Sequence, residues 1–245
     1  MRSLLLALAL SIGLVPAQDK PASPLAIPAS DDGLPGTGPI RRYDWFKSLW
    51  LEKRSAWAKR TSEDKGAVVF LGDSITQGWG DDFAGAFPGL KAANRGISGD
   101  TTRGMLVRLK EDVLDLSPAA VVLLMGTNDL EEKASPETIA ANAVLLLDAL
   151  KAHRPDLPIF LCEVFPASAS KSRPAASIKA INDLYRKAAS SRPQVTLIPT
   201  YALFANASGD AKPEEFPDLL HPNTAGYTKW ASALTPALKS KGLLK

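Results

Sequence analysis

"AAVVLLM", residues 119–125, is an unbroken apolar run that passes directly into "GTND", residues 126–129. A strand with one wet face alternates apolar and polar side chains. A run without alternation is covered on both faces, which is the property of strands in parallel sheets. "AVVFL" (67–71) and "PIFLCEV" (158–164) repeat the pattern, while "LKAANRG" (90–96) and "VTLIP" (195–199) contain shorter examples. Between these runs the spacing turns helical. Residues 101–116 place Met105, Leu106, Leu109 and Val113 on one side, and residues 135–153 open with a Ser135 cap and Pro136 at the first helical position. Helices are also predicted over 175–190 and over 223–240, where Pro236 marks an irregularity. Strand then helix, repeated with short connections, predicts an α/β domain built on a parallel doubly wound sheet.

In such a sheet, ligands bind outside the carboxyl ends of the strands. Polar residues just after a strand are therefore candidates for chemistry. Ser74 follows the first strand in "VVFLGDSITQGW" (68–79), "GISGDTT" (96–102) follows the second, and "GTND" follows the third. A serine hydroxyl needs a base to attack at neutral pH, and the chain has two histidines. His153 ends a helix before the next strand, at the opposite edge, where an imidazolium meets the negative end of the helix dipole. His221, in "FPDLLHPN" (216–223), lies between the last strand and the last helix, at the edge that holds Ser74. Asp218, three residues earlier, is spaced to orient the imidazole and stabilise its cation. An attacked carbonyl then needs donors for its oxyanion. Gly99 offers an N–H that a substrate can approach closely, Asn128 a side-chain amide, and Ser74 its own N–H. Asn94 is expected to hydrogen-bond its own loop.

The blocks Gly72-Asp73-Ser74, Gly99 in "SGDTT", Asn128 in "GTND" and Asp218-Leu-Leu-His221 resemble those of the SGNH (GDSL) hydrolases, over roughly residues 65–240. The phrases "NRGISGDTTRGMLVRL" (94–109) and "VVLLMGTNDL" (121–130) are most similar to the branch containing platelet-activating-factor acetylhydrolase catalytic subunits and bacterial carbohydrate acetylesterases. The resemblance implies a flavodoxin-like, three-layer α/β/α fold with about five strands, and ester hydrolysis through an acyl-serine without a cofactor. It also implies Ser74 as nucleophile, Gly99 and Asn128 as oxyanion donors, and Asp218–His221 as the base pair. The expected substrate is a small acyl ester, acetyl on carbohydrate. A lysophospholipase or short-chain lipid esterase, or an acyltransferase, are the alternatives on the same fold. A different class, a metal-dependent phosphoesterase, would use Asp73, Asp100 and Asp129 as Mg²⁺ ligands; their other reading is loop hydrogen bonding or pairing with Arg95 or Arg103. Arg103 itself is either a contact for a charged substrate or a solvated surface residue. "FPASASKSRPAAS" (165–177) is expected to line the site.

The bulk properties agree. A net charge of +3 with interspersed signs gives no basic stripe, so nucleic-acid binding has no support. "MRSLLLALALSIGLVPA" (1–17) has a basic start, an apolar run too short to span a bilayer, and a small-residue end, the pattern of a cleaved signal peptide. Export to the periplasm or beyond, with no stable membrane insertion after cleavage, is the expectation; an uncleaved anchor is the alternative. Residues 18–40, rich in Pro, Ser, Gly and Asp, are expected to form a flexible leader before a hydrolase domain over 41–245. That domain should begin with an amphipathic helix burying Trp45, Leu49 or Trp50, and Trp57. Cys162, the sole cysteine, lies in an apolar run and reads as a packing residue. Oligomeric state is not readable from the sequence.

Overall fold

The computed structural model describes residues 23–245. The signal peptide expected over 1–17, and leader residues 18–22, lie outside the described residues. Five strands, β1 (Val68–Gly72), β2 (Ala92–Gly96), β3 (Ala120–Leu124), β4 (Ile159–Cys162) and β5 (Val195–Ile198), form one sheet in the order β2-β1-β3-β4-β5. Every pairing is parallel, and Val68 stands between Ala92 and Ala120. This is the flavodoxin-like order, in which the chain reverses its direction of travel across the sheet beside β1.

Side chains alternate along each strand, so each strand feeds two cores. Val69, Leu71, Val121, Leu123, Ile159 and Leu161 pack under α4 (Thr102–Asp112), α6 (Pro136–His153) and α7 (Ala175–Ser190). Phe70, Val122, Phe160 and Cys162 face the other way, against Trp79, Phe83 and the Trp230, Leu234 and Leu238 stripe of α9 (Thr224–Ser240). Cys162 is fully buried, and burial pushes its thiol up to about 12, so it is an inert packing residue. The remaining helices are α1 (Asp44–Lys59), α2 (Thr61–Asp64), α3 (Ser74–Gly78), α5 (Thr127–Glu131) and α8 (Thr200–Phe204). None of the described helices is long and apolar enough to cross a membrane.

Three expectations are corrected. The buried stripe of α1 is Phe46, Trp50, Arg54 and Trp57, at near-fourfold spacing, while Trp45 is exposed. The helix over 224–240 runs on through Pro236. Ser232 and Pro236 share its exposed side, so the carbonyl deprived of its donor faces water.

The third correction concerns the leader, which over its described part, 23–40, is laid along the domain as a strap. Thr37 exchanges two hydrogen bonds with buried Asn142, at 3.2 and 2.8 Å. The Leu25 carbonyl accepts from Trp50 Nε1 at 2.9 Å and from Arg54 at 3.0 Å. Arg103 is neither solvated nor presented to a substrate. It is buried under the strap, paired with Asp31 and donating to the Gly38 carbonyl. Ile27 packs on the Phe46, Trp50 and Trp57 cluster and Ile40 is buried, but the sequence missed the strap because its polar anchors have partners far along the chain.

Candidate active site

Ser74 opens α3 directly after β1, and buried Asp73 caps that helix by accepting from the Ile75 N–H at 2.9 Å. Close packing requires Gly72 at the end of β1: a Cβ there would lie 2.1 Å from Thr76 Oγ1 and 2.8 Å from the Leu124 carbonyl. Asn94, on β2, accepts from the Gly96 N–H at 2.8 Å, within its own loop as expected, and its amide also donates to the carbonyls of Thr76 and Gly80 at 2.8 and 2.9 Å, tying α3 to that loop. The hydroxyl of Ser74 is thereby fixed at the carboxyl edge of the sheet.

His221 Nε2 lies 3.0 Å from Ser74 Oγ, and its Nδ1 lies 2.7 Å from Asp218 Oδ2. The connecting segment is a turn, with Leu219 in the left-handed region at φ 61°. That conformation is costly for a side-chain-bearing residue, and it wraps Asp218 so that Oδ1 accepts from the Leu220 and His221 N–H groups at 3.0 and 2.7 Å. Partial burial pushes the Asp218 carboxyl up, but the hydrogen bonds from the His221 ring and from these two backbone groups outweigh it and hold the pKa at about 2. Asp218 thus stays ionised, fixes Nδ1 as the protonated nitrogen, and leaves Nε2 to accept from Ser74. His153 closes α6 on the exposed surface at the other edge.

Gly99 has φ +88°, and a Cβ on it would lie 2.7 Å from Trp45 Cη2 and 2.9 Å from Arg41 Nη1, so glycine is demanded by both backbone and space. Within the described residues, no protein acceptor takes the N–H of Gly99 or of Ser74. Asn128, in the first turn of α5, donates one amide hydrogen to the Asp100 carbonyl at 2.9 Å. Its Oδ1 accepts from Arg173 Nη2 at 3.1 Å, so the second amide hydrogen is left to donate. Three unengaged N–H donors therefore come from the segments that carry Ser74, Gly99 and Asn128, a set suited to an oxyanion.

Arg173 was not singled out from sequence, although it comes from the segment expected to line the site. It is buried and also donates to the Thr127 carbonyl at 3.0 Å and to Glu131 at 2.9 Å. Nothing in "FPASASKSRPAAS" marks it. Arg108 was missed as well. It pairs with Asp100 at 2.7 Å and donates to the carbonyls of Gly72 and Arg95 at 3.0 and 2.8 Å, joining the loops after β1 and β2. Its position on the inward stripe of α4, four residues before Asp112, was the available signal.

The carboxylates of the phosphoesterase alternative are engaged separately. Asp73 caps α3, Asp100 pairs with Arg108 rather than with Arg95 or Arg103, and Asp129 accepts from the Thr102 N–H at 3.0 Å. Burial pushes Asp73 and Asp100 up to about 6 and Asp129 to about 7. Among the described residues, no three His, Cys, Asp or Glu side chains are grouped to hold a metal.

The GDSL-like lipase/acylhydrolase profile matches residues 70–229, a span that includes Ser74, Gly99, Asn128, Asp218 and His221. Human platelet-activating factor acetylhydrolase IB subunit alpha2 is 26% identical over 212 residues, 85% of this chain and 87% of that protein. The crystal structure of a GDSL-like lipase from Bacteroides thetaiotaomicron superposes with a TM-score of 0.67 at 25% identity, over 76% of this chain and 97% of that one. An acetyl xylan esterase shares the fold, with a TM-score of 0.57 at 23% identity over 70% of this chain and 99% of that one. By these matches the chain belongs to the GDSL-like lipase/acylhydrolase family and is a carboxylic ester hydrolase.

Proposed function

We propose that the protein is an exported serine esterase that removes small acyl groups, acetyl foremost, from carbohydrate esters. The observation that carries the reading is the contact of Ser74 Oγ with His221 Nε2 at 3.0 Å, backed by Asp218 at 2.7 Å. His221 takes the Ser74 proton as Oγ bonds to the ester carbon, and the carbonyl oxygen becomes an anion held by the N–H groups of Ser74, Gly99 and Asn128. Collapse breaks the ester C–O bond, with His221 returning the proton to the departing alcohol. Water then attacks the acyl-Ser74 with His221 as base, releasing the acid and restoring the serine. A sugar hydroxyl in place of water would make the same intermediate an acyl donor.

Acetyl is supported by the acetylhydrolase relatives. Export is supported by the basic start, apolar run and small-residue end of residues 1–17. A lipid ester is the second reading, favoured by a cavity of about 560 Å³ between the end of α3 and the start of α9, whose wall includes Pro222, the residue after His221, with Trp79, Phe83 and Tyr227. Acetate release decides between them. Acetylated xylan, acetylated sialic acids and acetylated peptidoglycan are compared with a phospholipid acetylated at its glycerol. The carbohydrate reading expects the highest kcat/KM on one of the sugars; a higher value on the phospholipid, with none on sugars, overturns it.

A further inference from the structure

We propose that the cavity between the start of α1 and the end of α5 is a sugar-binding subsite, in which a pyranose ring lies against Tyr43 and Trp45 beside the reacting ester. The inference deepens the carbohydrate reading above and rests on it for the identity of the ester.

The cavity holds about 520 Å³ and is lined by Arg41, Tyr43, Trp45, Glu131, Glu132 and Lys133. Tyr43 and Trp45 are 52% and 53% exposed, whereas the other four tryptophans are at most 8% exposed. A half-exposed Trp beside a half-exposed Tyr is not accounted for by packing, because the buried stripe of α1 faces the domain without them. The two rings are nearly parallel, 11° apart with centroids at 6.4 Å, and the edge-on contact of Trp45 with buried Phe46 holds the pair in place. Rigid amphipathic rings of this kind provide contact area at little entropic cost.

The location ties the cavity to the chemistry. Trp45 abuts Gly99, the expected oxyanion donor. Arg41 pairs with both Glu131 and Glu132, and the same Glu131 oxygen receives Arg173, whose other nitrogen holds Asn128 Oδ1. The cavity's lining thus touches Gly99 directly and reaches Asn128 through Arg173.

The chemistry favours a neutral polyol over a cation. A quaternary ammonium is best held by rings that surround it, whereas Tyr43 and Trp45 lie parallel to each other and enclose no centre. Glu131 and Glu132 are already paired with arginines, so they offer oxygen and nitrogen edges to hydroxyl groups rather than unbalanced negative charge. An apolar wall with a polar rim matches the C–H face and hydroxyl edge of a pyranose.

The test uses the Ser74→Ala protein and unacetylated xylotetraose, cellotetraose and chitotetraose, with choline chloride as the cationic probe. Because Trp45 is the exposed tryptophan, saturable change in intrinsic fluorescence reports occupancy, and calorimetry gives Kd. Saturable binding of at least one oligosaccharide is expected, weakened about tenfold or more by Trp45→Ala and by Tyr43→Ala, and largely retained in Trp45→Phe. The melting temperature of each variant establishes that it folds. Binding of choline alone, binding of none of the probes, or oligosaccharide binding untouched in both alanine variants overturns the proposal. Hydrolysis of acetylated polysaccharide by the native protein is measured in parallel. Sugar binding without hydrolysis would defeat only the carbohydrate-ester reading, and hydrolysis without sugar binding only the subsite.

Discussion

Asn128 illustrates how a single amide is aimed. Its carbonyl is taken by Arg173 and one of its hydrogens by the Asp100 carbonyl, so rotation about the last side-chain bond would break both. In the proposed mechanism Arg173 is therefore a positioning residue, acting on the acyl centre through Asn128. Replacing it by alanine is expected to lower kcat by about 10- to 100-fold with a smaller change in KM, since an oxyanion donor is worth ~10²–10³ in rate and here it is misaligned rather than removed. Ser74 should still be labelled by a strong phosphonate. Lysine should restore little, because one ammonium cannot reach Asn128, Thr127 and Glu131 from a planar fork. Steady-state kinetics on p-nitrophenyl acetate check this; an unchanged kcat in Arg173→Ala would remove Arg173 from the mechanism.

Among the elements, the parallel strands were the most legible. Their apolar runs needed no knowledge of partners, and 67–71 or 119–125 falls within one residue of β1 or β3. The helices over 135–153 and 175–190 were equally plain, the first from its Ser135 cap and Pro136. The strap was not. Its hold on the domain includes hydrogen bonds such as Thr37 to Asn142, 105 residues apart, and Thr101 Oγ1 to the Pro39 carbonyl, 62 residues apart. No composition reveals such a partner. Asn142→Ala leaves both backbone groups of Thr37 without it, and the expected cost is about 1–3 kcal/mol. The variant should melt at a lower temperature and be cut faster between residues 23 and 40 by a dilute protease. An unaltered rate of cutting there would mean that the strap is held by other contacts.

For the whole molecule, the rule that ligands sit outside the carboxyl ends of the strands did most of the selecting. It separated His221 from His153 and brought Ser74, Gly99 and Asn128 to one edge before any distance was known. What it could not supply was the buried layer beneath. Arg108 and Arg173 touch carbonyls and carboxylates from several loops, and each contact exists only once the sheet has closed. The central claim is that the hydroxyl of Ser74 becomes the acylated oxygen. Peptide mass spectrometry after reaction with a serine-directed phosphonate tests it most directly, alongside hydrolysis by Ser74→Ala. A single adduct on Ser74 that grows as activity falls, with no hydrolysis by the variant and no loss on EDTA treatment, is the predicted result. Full hydrolysis by Ser74→Ala, or complete labelling elsewhere with Ser74 unmodified, would contradict it.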